Sequence, residues 1–382
     1  MQQNAVLKKP ASKTTPFIPY VCQGKLTSKS RPERTRAQRT LKDLWLASDK
    51  NIIKILKEDG FLGDLKGSTC VACGVGVLGK MQPFRGCQKH RCNHWRCKRW
   101  IAPQAEHPLF MSTGRGSGAT PLQSQAAVLF CVVGGLSTAQ TCNITGANHK
   151  VVERMATRLD QARSRYVQRA EKSIQFGGGS AWCDVEADEV DLRKEVNSKI
   201  TGDPDKPVHW EQWSGIVQRG APHTLVLTRL TPKNTKMRAP GPGPIRSKEW
   251  KRLAAKWLCG RNVILHTDGA RAYKLKVEGV VHSSIVHKKK RIYVKGRAVW
   301  MKPKYAKVFK ATAPDGTRLR AMSGTQIIDR FWSRLRTHIG SRTAPPGSPA
   351  LAARVRSAQF EYWHQGESLW AATGKMLRSL RA

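Results

Sequence analysis

Five of the ten cysteines in this 382-residue chain lie in one short stretch that begins at Cys70 and ends at Cys97. Cysteines crowded in this way indicate a metal site rather than a framework of disulfide bonds. Two residues separate Cys70 from Cys73, so both thiolates can reach one tetrahedral ion from a single turn. Together with the glycines scattered between residues 74 and 86, this spacing predicts a small β-ribbon that is held together by zinc.

The second pair of zinc ligands is less closely spaced. It must come from a group of neighbouring side chains, namely Cys87, Cys92 and Cys97, with His90 and His94 as alternatives. We predict that the ion is held by the thiolates of Cys70, Cys73, Cys92 and Cys97. Because four protein ligands leave no open position for water, the site is expected to be structural rather than catalytic. Basic residues surround the cluster, which favours contact between the ribbon and phosphate groups.

The balance of charge points to a polyanionic partner. The chain carries 68 Lys and Arg against 26 Asp and Glu, a formal net charge of +42. Nucleic acid is the usual partner of such a chain, and an anionic membrane surface or a ribosome are the alternatives. No stretch reaches the roughly 18 apolar residues of a membrane span, and residues 1–19 lack the apolar core of a secretory signal. We therefore expect a nucleic-acid-binding protein without a membrane segment.

Changes in composition and periodicity divide the chain into several parts. The glycine run at 177–179 is interpreted as a linker, because helical spacing precedes it and strand-like alternation follows it. The predicted parts are a basic, disordered arm at 1–36, a helix plus zinc ribbon at 37–110, a helical DNA-binding segment at 121–175, an α/β domain at 180–340 and a C-terminal helical extension at 341–382.

Three helices joined by tight, glycine-containing turns are predicted after residue 120, at 122–133, 137–142 and 148–167. Ser137 suits the N-cap of the middle helix. This spacing is typical of a helix-turn-helix motif. The last helix carries several basic residues, which favour either a solvated face or contact with DNA, and Arg154 and Arg158 are the DNA-binding candidates.

Beyond the glycine run, the pattern alternates between strands and helices. Strands are predicted at 181–190, 213–219, 223–230, 263–266 and 280–286, helices at 248–258 and 326–339, and a loop rich in Pro and Gly at 232–244. Three strands, a helix, two strands and a further helix indicate an α/β fold with a mixed sheet and flanking helices.

Acidic residues are scarce, so the positions of those inside apolar runs are informative. Asp188 lies in a predicted strand, Asp268 directly follows an apolar strand, and Asp329 lies near the start of the last predicted helix. Three carboxylates from two strand ends and one helix can converge on a pair of divalent ions, the arrangement that phosphoryl transfer requires. The alternative is that each acid forms an ordinary surface ion pair.

The segments around these acids read ILHTDGARAY at 264–273, GVVH at 279–282 and GTQIIDRFWSRLR at 324–336. Together they resemble the DDE domain of ISXO-like insertion-sequence transposases, to which eukaryotic Merlin elements are similar. That family also places a zinc ribbon and a helix-turn-helix before the catalytic domain. The resemblance implies a ribonuclease H-like core, catalytic Mg²⁺ or Mn²⁺, recognition of terminal inverted repeats in double-stranded DNA, and cut-and-paste transfer by a homo-oligomer assembled on the DNA.

The resemblance also assigns the catalytic carboxylates. The family's first Asp, in an Asp-Glu pair on the opening strand, corresponds to Asp188, and its second, in a strand that ends Asp-Gly, corresponds to Asp268. The third acid lies three residues before a Trp on a helix, which here is Asp329 before Trp332. Where the family usually carries Asn, Glu and Lys, this chain has Gln326, Asp329 and Arg336.

Basic residues near the acids complete the candidate DNA surface. His287 is a candidate contact for the scissile phosphate, Lys288 and Lys289 belong to a basic run suited to the DNA backbone, and Arg336 is a further candidate. A catalytically inactive, domesticated DNA-binding protein and an RNA-binding protein built on the ribbon are the competing functions. We expect a nuclear location if the source is eukaryotic, and otherwise the cytoplasm in association with DNA.

Overall fold

The computed structural model describes residues 39–111, 120–177, 179, 181–196, 207–285, 290–294, 296–301, 305–340 and 344–381. The predicted basic arm at 1–36 and three DNA-binding candidates, His287, Lys288 and Lys289, lie outside these ranges. No helix in the described part of the chain is long and apolar enough to cross a membrane.

Two short helices precede the ribbon. The helical spacing between residues 36 and 60 resolves into α1 (Leu41–Trp45) and α2 (Asp49–Glu58), which are capped by Thr40 and Ser48. Ser48 favours a new start because its side chain accepts a hydrogen bond from the Asn51 amide at 3.3 Å. Each cap satisfies an otherwise unpaired amide at the beginning of its helix.

The cysteine-rich segment folds as the predicted β-ribbon. β1 (Leu78–Phe84), β2 (Cys87–Cys92) and β3 (Trp100–Ile101) pair antiparallel in that order. Arg85 and Gly86 form the turn between β1 and β2 with positive φ values of 49° and 75°. Two consecutive residues with positive φ match the twist of a two-residue hairpin. The turn sets the register from Phe84 to Met81, and an irregularity between Met81 and Leu78 then shifts the register by one residue, which places Cys92 opposite Leu78 at the start of β1.

The three helices predicted after residue 120 are present. They are α3 (Leu122–Val133), α4 (Thr138–Thr145) and α5 (His149–Ala170). Ser137 caps α4 as expected, since its hydroxyl accepts a hydrogen bond from the Gln140 amide at 3.2 Å. α4 ends at Gly146, whose φ of 61° is the left-handed conformation that commonly stops a helix.

The α/β part of the chain is built on a six-stranded sheet. Its strands are β4 (Cys183–Val196), β5 (Pro207–Gln218), β6 (Ala221–Arg229), β7 (Lys233–Lys236), β8 (Val263–Thr267) and β9 (Val280–Ser284). β4, β5 and β6 run antiparallel, whereas β8 and β9 run parallel to β4, and the order is β6-β5-β4-β8-β9 with β7 also on β5. The predicted mixed sheet is confirmed. β7 lies inside the segment that was predicted as a loop. It forms a strand there because β5 begins at Pro207, before the predicted start at residue 213, and the added residues of β5 pair with β7.

Helices cover both faces of this sheet. α6 (Ser247–Trp257) packs on one face and α7 (Gln326–Ile339) on the other, and α7 has the predicted limits. Successive side chains of a strand point to opposite faces. In β4, Val185 and Ala187 therefore face α6, and Val190 faces α7. The same alternation places the side chain of Asp188 on the α7 face.

The C-terminal extension consists of two helices, α8 (Pro349–Trp363) and α9 (Leu369–Arg381). α8 packs against α7 and the sheet, whereas α9 reaches back to the N-terminal helices. There Trp370 stacks on Phe61, with 3.9 Å between the ring centroids. The buried residues of α2, α3, α5 and α9 form one apolar core, so the chain returns at its end to the part with which it began.

Two hairpins that the sequence did not reveal lie between β9 and α7. β10 (Lys290–Val294) pairs with β11 (Arg297–Met301), and β12 (Lys307–Thr312) pairs with β13 (Arg318–Ser323). The second hairpin packs on the sheet through Leu319 and Ala321, which contact the cluster around Ile264. Every residue of β11 is exposed.

Candidate functional site

The four cysteines predicted as zinc ligands converge on one point. Their sulfur atoms all lie within 4.8 Å of one another. The Sγ atoms of Cys70 and Cys97 are 4.0 Å apart, and those of Cys73 and Cys92 are 3.8 Å apart. A tetrahedral zinc ion with Zn–S bonds of about 2.3 Å holds its sulfur atoms about 3.8 Å from one another. The cluster thus has the size and donor chemistry to bind a structural metal such as zinc.

The backbone around the cluster is shaped for these ligands. Hydrogen bonds from the amides of Gly76 and Val75 lower the pKa of the Cys73 thiol to about 6, whereas burial and the neighbouring thiols raise the pKa of Cys92 to about 12. Four adjacent thiolates repel one another, and a bound cation removes that repulsion. A side chain at position 76 would clash with the cluster, since its Cβ would lie 2.4 Å from the Cys92 sulfur.

The other ligands that the sequence left open stay outside the four-sulfur cluster. Cys87 lies exposed at the start of β2. The His90 ring is buried in the ribbon, where its Nδ1 lies 2.8 Å from the Gly79 carbonyl oxygen. His94 occupies the loop between Cys92 and Cys97 and is not among the clustered donors.

Asp188 and Asp268 lie at the same end of neighbouring parallel strands. Residues 183–186 of β4 pair with residues 263–266 of β8, and the same register continued by two residues sets Asp188 level with Asp268. Asp329 occupies the first turn of α7, which packs on the face of the sheet that carries Asp188. The three predicted acids therefore come from separate elements to one region of the molecule.

Each of the three carboxylates is oriented by a hydrogen bond. The Trp332 indole Nε1 donates to Asp188 Oδ2 at 3.0 Å, and the Thr325 hydroxyl donates to Asp329 Oδ2 at 3.1 Å. The amide of Ala270 donates to Asp268 Oδ1 at 2.8 Å. Trp332 is buried among the apolar residues that α7 packs on the sheet, and its polar edge also holds the first acid.

The electrostatics show that the acids influence one another. Burial raises the pKa of Asp188 well above its ordinary range, and the charges of Glu189, Asp329 and Asp268 raise it further. Repulsion of this kind arises where carboxylates gather, and oxygen ligands of this type suit Mg²⁺ and Mn²⁺. Within the described ranges, however, only the cysteine cluster brings three or more donor atoms within 4.8 Å of one another. The acids share a region without being drawn together to that distance.

A buried ion pair that the sequence did not reveal joins α7 to the sheet. Glu186, which is fully buried, accepts a hydrogen bond from Arg219 Nε at 2.8 Å through Oε1. Its Oε2 accepts hydrogen bonds from the backbone amides of Ile327 and Ile328 at 2.9 and 3.0 Å. These amides belong to the first turn of α7, where unpaired N–H groups and the helix dipole favour a carboxylate. Glu186 therefore positions the helix that carries Asp329 and Trp332.

Arg219 extends this connection to the segment before α7. Its guanidinium donates to the carbonyl oxygens of Met322 and Gly324, the latter at 2.7 Å. The only sequence signal for the pair was an acid inside the apolar run around residue 186. Its partner is 33 residues away in sequence, so the pairing register of β4 and β5 had to be known before the contact could be predicted.

A glycine allows α7 to approach the sheet closely. Gly215 of β5 pairs with Asp188 of β4. A Cβ atom at position 215 would lie 2.7 Å from Cη2 of Trp332 and 2.9 Å from Cδ1 of Ile328. The missing side chain makes room for the Trp332 ring, so its indole nitrogen can reach Asp188.

Glu189, the partner of Asp188 in the predicted Asp-Glu pair, is directed to the opposite face. It accepts hydrogen bonds from the Ile245 amide at 3.0 Å and from the Tyr273 hydroxyl. Tyr273 is fully buried among the residues that pack under α6. Glu189 thus contributes negative charge near Asp188 while its own oxygens are used in packing the fold.

The described basic candidates occupy different environments. Arg154 is exposed on α5, and Arg336 is exposed on α7. Arg158 is partly buried, and its guanidinium donates to the Phe110 carbonyl at 2.9 Å. It therefore anchors the segment before α3. Another basic residue of α5, Arg163, is buried and pairs with Glu361 at 2.7 Å.

The strand histidines have hydrogen-bonding partners within the sheet. His266 Nε2 lies 2.7 Å from Asp184 Oδ1, and His282 Nε2 lies 2.8 Å from Thr267 Oγ1. Burial lowers the pKa of both rings. Both histidines are therefore hydrogen-bonded partners within the fold.

An open cleft of about 720 Å³ gives access to the acids. Asp188, Asp268 and Gly269 line one side of it, and the loop from Pro240 to Pro244 lines another. Ligand sites in proteins commonly have volumes of about 300–1,000 Å³. The volume of this cleft lies within that range, and Asp329 lies outside its lining.

The chain matches no protein-family model, and no curated protein or solved structure matches it.

Proposed function

We propose that this chain is a DNA transposase of the DDE type, which cleaves and joins DNA at the ends of its own element. Asp188, Asp268 and Asp329 are the proposed catalytic carboxylates. The observation that carries the proposal is the parallel register of β4 and β8, which sets Asp188 level with Asp268 in the lining of one open cleft. A helix packed on the same sheet adds the third acid.

The architecture supports the same proposal. A sheet of three antiparallel strands continued by two parallel ones, with helices on both faces, is compatible with the ribonuclease H-like core that the resemblance implies. α3, α4 and α5 have the lengths and tight turns proposed for a helix-turn-helix segment. The zinc ribbon precedes them, in the order that the resemblance implies.

The donor set fits Mg²⁺ or Mn²⁺, which prefer carboxylate oxygens. Held by Asp188, Asp268 and Asp329, two such ions would activate the attacking oxygen and stabilise the leaving oxygen of a phosphodiester. The contribution of the protein is orientation. Trp332 holds the first acid from α7, and Glu186 fixes the start of that helix against the sheet.

Double-stranded DNA is the proposed substrate, with terminal inverted repeats as the recognised sequence and a homo-oligomer as the assembled form. The net charge of +42 supports a polyanionic partner. Exposed cations on the ribbon and on α5, among them Arg96 and Arg154, supply positions for phosphate contacts. We propose a nuclear location in a eukaryotic source, and otherwise the cytoplasm with the DNA.

The experiment is a nicking assay on a plasmid that carries the genomic DNA flanking the coding region. With Mg²⁺ or Mn²⁺, the zinc-loaded protein is expected to convert supercoiled plasmid to nicked or linear product. Asp268→Asn should abolish cleavage and leave DNA affinity nearly unchanged, because it removes one charge from a strongly basic protein. Asp64→Asn, which alters an exposed acid before the ribbon, is the matched control. Intact binding without nicking by the wild type refutes the enzymatic proposal.

A second candidate is a catalytically inactive, domesticated protein that binds DNA without cleaving it. One observation favours it: the three acids are not gathered within 4.8 Å of one another, whereas the four cysteines are. Asp329 is also one methylene shorter than the Glu of the resembling family. The same nicking assay separates the two candidates, since the inactive protein binds the flanking DNA and leaves it intact.

A further inference from the structure

The β10–β11 hairpin exposes large aromatic side chains. Tyr293 is 67% exposed and Trp300 is 63% exposed, and Val299 and Met301 beside them are also exposed. Folded proteins expose few side chains of this size outside surfaces that contact a partner. In the described structure these strands pair only with each other and do not join the six-stranded sheet. A lone two-stranded hairpin is marginally stable in water, which favours a ligand that covers it.

The pairing register gathers the aromatic rings on one face. Arg291 lies opposite Trp300, and Tyr293 lies opposite Ala298. Residues that are directly opposite in an antiparallel pair share a face of the hairpin. Tyr293 and Trp300 are therefore diagonal neighbours, and the Arg291 guanidinium lies over the Tyr293 ring, 5.3 Å from its centroid. This face offers two rings and one planar cation side by side.

The charge of this region specifies the partner. Residues 286–323 contain twelve Lys and Arg and a single acid, Asp315. On the described strands, Arg291 is exposed on the same face as the rings, Arg297 is exposed on the opposite face of the hairpin, and Lys307 is exposed on β12. A hairpin that combines exposed aromatic rings with exposed cations is complementary to nucleic acid, which offers flat bases and phosphates together.

The second hairpin, β12–β13, is attached next to the acids. β13 ends directly before α7, the helix that carries Asp329, and the Ser323 hydroxyl at its end hydrogen-bonds with Ser283 of β9. β12 and β13 also pack on Ile264 of β8, the strand that leads to Asp268. The β12–β13 hairpin, which follows β10 and β11 in the chain, therefore lies against the strand that leads to Asp268 and ends directly before the helix that carries Asp329.

We propose that the β10–β11 hairpin is a binding platform for unpaired bases of DNA, with Trp300 and Tyr293 stacking on the bases and the surrounding Lys and Arg contacting phosphates. Rings can stack only on bases whose faces are not covered by neighbours, so the platform prefers single-stranded segments over duplex. The inference shares with the proposed function a nucleic-acid partner, and it does not depend on cleavage.

The test measures binding of the full-length, zinc-loaded protein without added Mg²⁺, at fixed ionic strength. The probes are a fluorescein-labelled thymidine 15-mer and a labelled duplex of mixed sequence. Base–aromatic stacking contributes roughly 1–3 kcal/mol per base, so Trp300→Ala is expected to weaken single-strand binding about tenfold. Tyr293→Ala should act in the same direction, Trp300→Phe should retain most of the affinity, and duplex binding should change less than about twofold, because it rests on charge.

Trp45→Ala is the matched control, since Trp45 is a 41% exposed tryptophan of α1 and belongs to neither hairpin. It should leave single-strand binding unchanged. Unchanged single-strand binding by Trp300→Ala, or an equal loss for single strand and duplex, overturns the platform. Phosphatidylserine vesicles serve as a third probe. If Trp300→Ala weakens binding to these vesicles but not to the single strand, the platform is overturned and the surface is assigned to a membrane. The wild type can also show the expected preference for single strands and yet fail to nick DNA. That result refutes the proposed enzyme and leaves the platform intact.

Discussion

Glu186→Gln is expected to destabilise the protein strongly, although the new side chain has almost the same volume. Glu186 is fully buried, and its two oxygens receive Arg219 Nε and the amides of Ile327 and Ile328. The amide of glutamine carries no charge to compensate Arg219. It also replaces one acceptor oxygen with an NH₂ group, which faces either the guanidinium or the helix amides.

The magnitude follows from the burial of the pair. Removing one partner of a buried ion pair costs about 3–5 kcal/mol, because the other charge is left uncompensated. Arg219 keeps its carbonyl partners, and Asp184 lies 4.0 Å from its Nη1. These contacts reduce the loss, so we expect the free energy of unfolding to fall by about 3 kcal/mol, at the lower end of that range.

Urea unfolding followed by tryptophan fluorescence measures the effect, since Trp213 and Trp332 pack in the same core. Glu58→Gln is the control, because Glu58 has a side chain that is 50% exposed and pairs only on the surface. An exposed pair contributes about 0.2–1 kcal/mol. In the double variant with Arg219→Met, the loss should be smaller than the sum of the single losses. If Glu186→Gln costs no more than Glu58→Gln, Glu186 does not fix α7 to the sheet.

Removing zinc with a chelator is expected to unfold the ribbon, because all four cysteines belong to its small core. Elemental analysis should find one zinc per chain, and a protein without zinc would refute the site. Gly215→Ala should cost about 1–3 kcal/mol by overpacking, since the new Cβ would lie 2.7 Å from Trp332; an unchanged urea midpoint would contradict this. Burial lowers the pKa of His107 from 6.5 to about 4, so the neutral ring contributes stability above pH 6.5 that is lost as the pH falls toward 4. The difference in free energy of unfolding between the wild type and His107→Asn should therefore shrink by up to about 3 kcal/mol as the pH falls from 6.5 to 4. A difference that stays constant over this range would exclude His107 as the titrating group.

Features with a strong local signal could be predicted from the sequence. α7 was predicted with its observed limits, because Ile328, Phe331 and Leu335 recur at helical spacing and are all buried. The pair of Cys70 and Cys73 likewise indicated the metal cluster before the distances were known. In both cases the residues that define the feature are close together in the sequence.

Features that depend on tertiary pairing could not be predicted. β10 and β11 are dense in Lys and Arg and expose both aromatic and basic residues, so they lack the alternation that marks a half-buried strand. The partners Glu186 and Arg219 meet only after β4 and β5 have paired. The same holds for the closeness of Asp188 to Asp268, which depends on the β4–β8 register, and for the second role of Trp332 as a partner of Asp188.

The central claim is that Asp188, Asp268 and Asp329 together bind divalent cations. Electron paramagnetic resonance of Mn²⁺, titrated into the zinc-loaded protein, measures this directly. The wild type is expected to bind Mn²⁺, and Asp188→Asn and Asp268→Asn should each weaken binding at least about tenfold, since each removes a charged ligand. Asp329→Glu should keep or strengthen it, and Asp64→Asn should leave it unchanged. Equal Mn²⁺ binding by the wild type, Asp188→Asn and Asp268→Asn would contradict the claim.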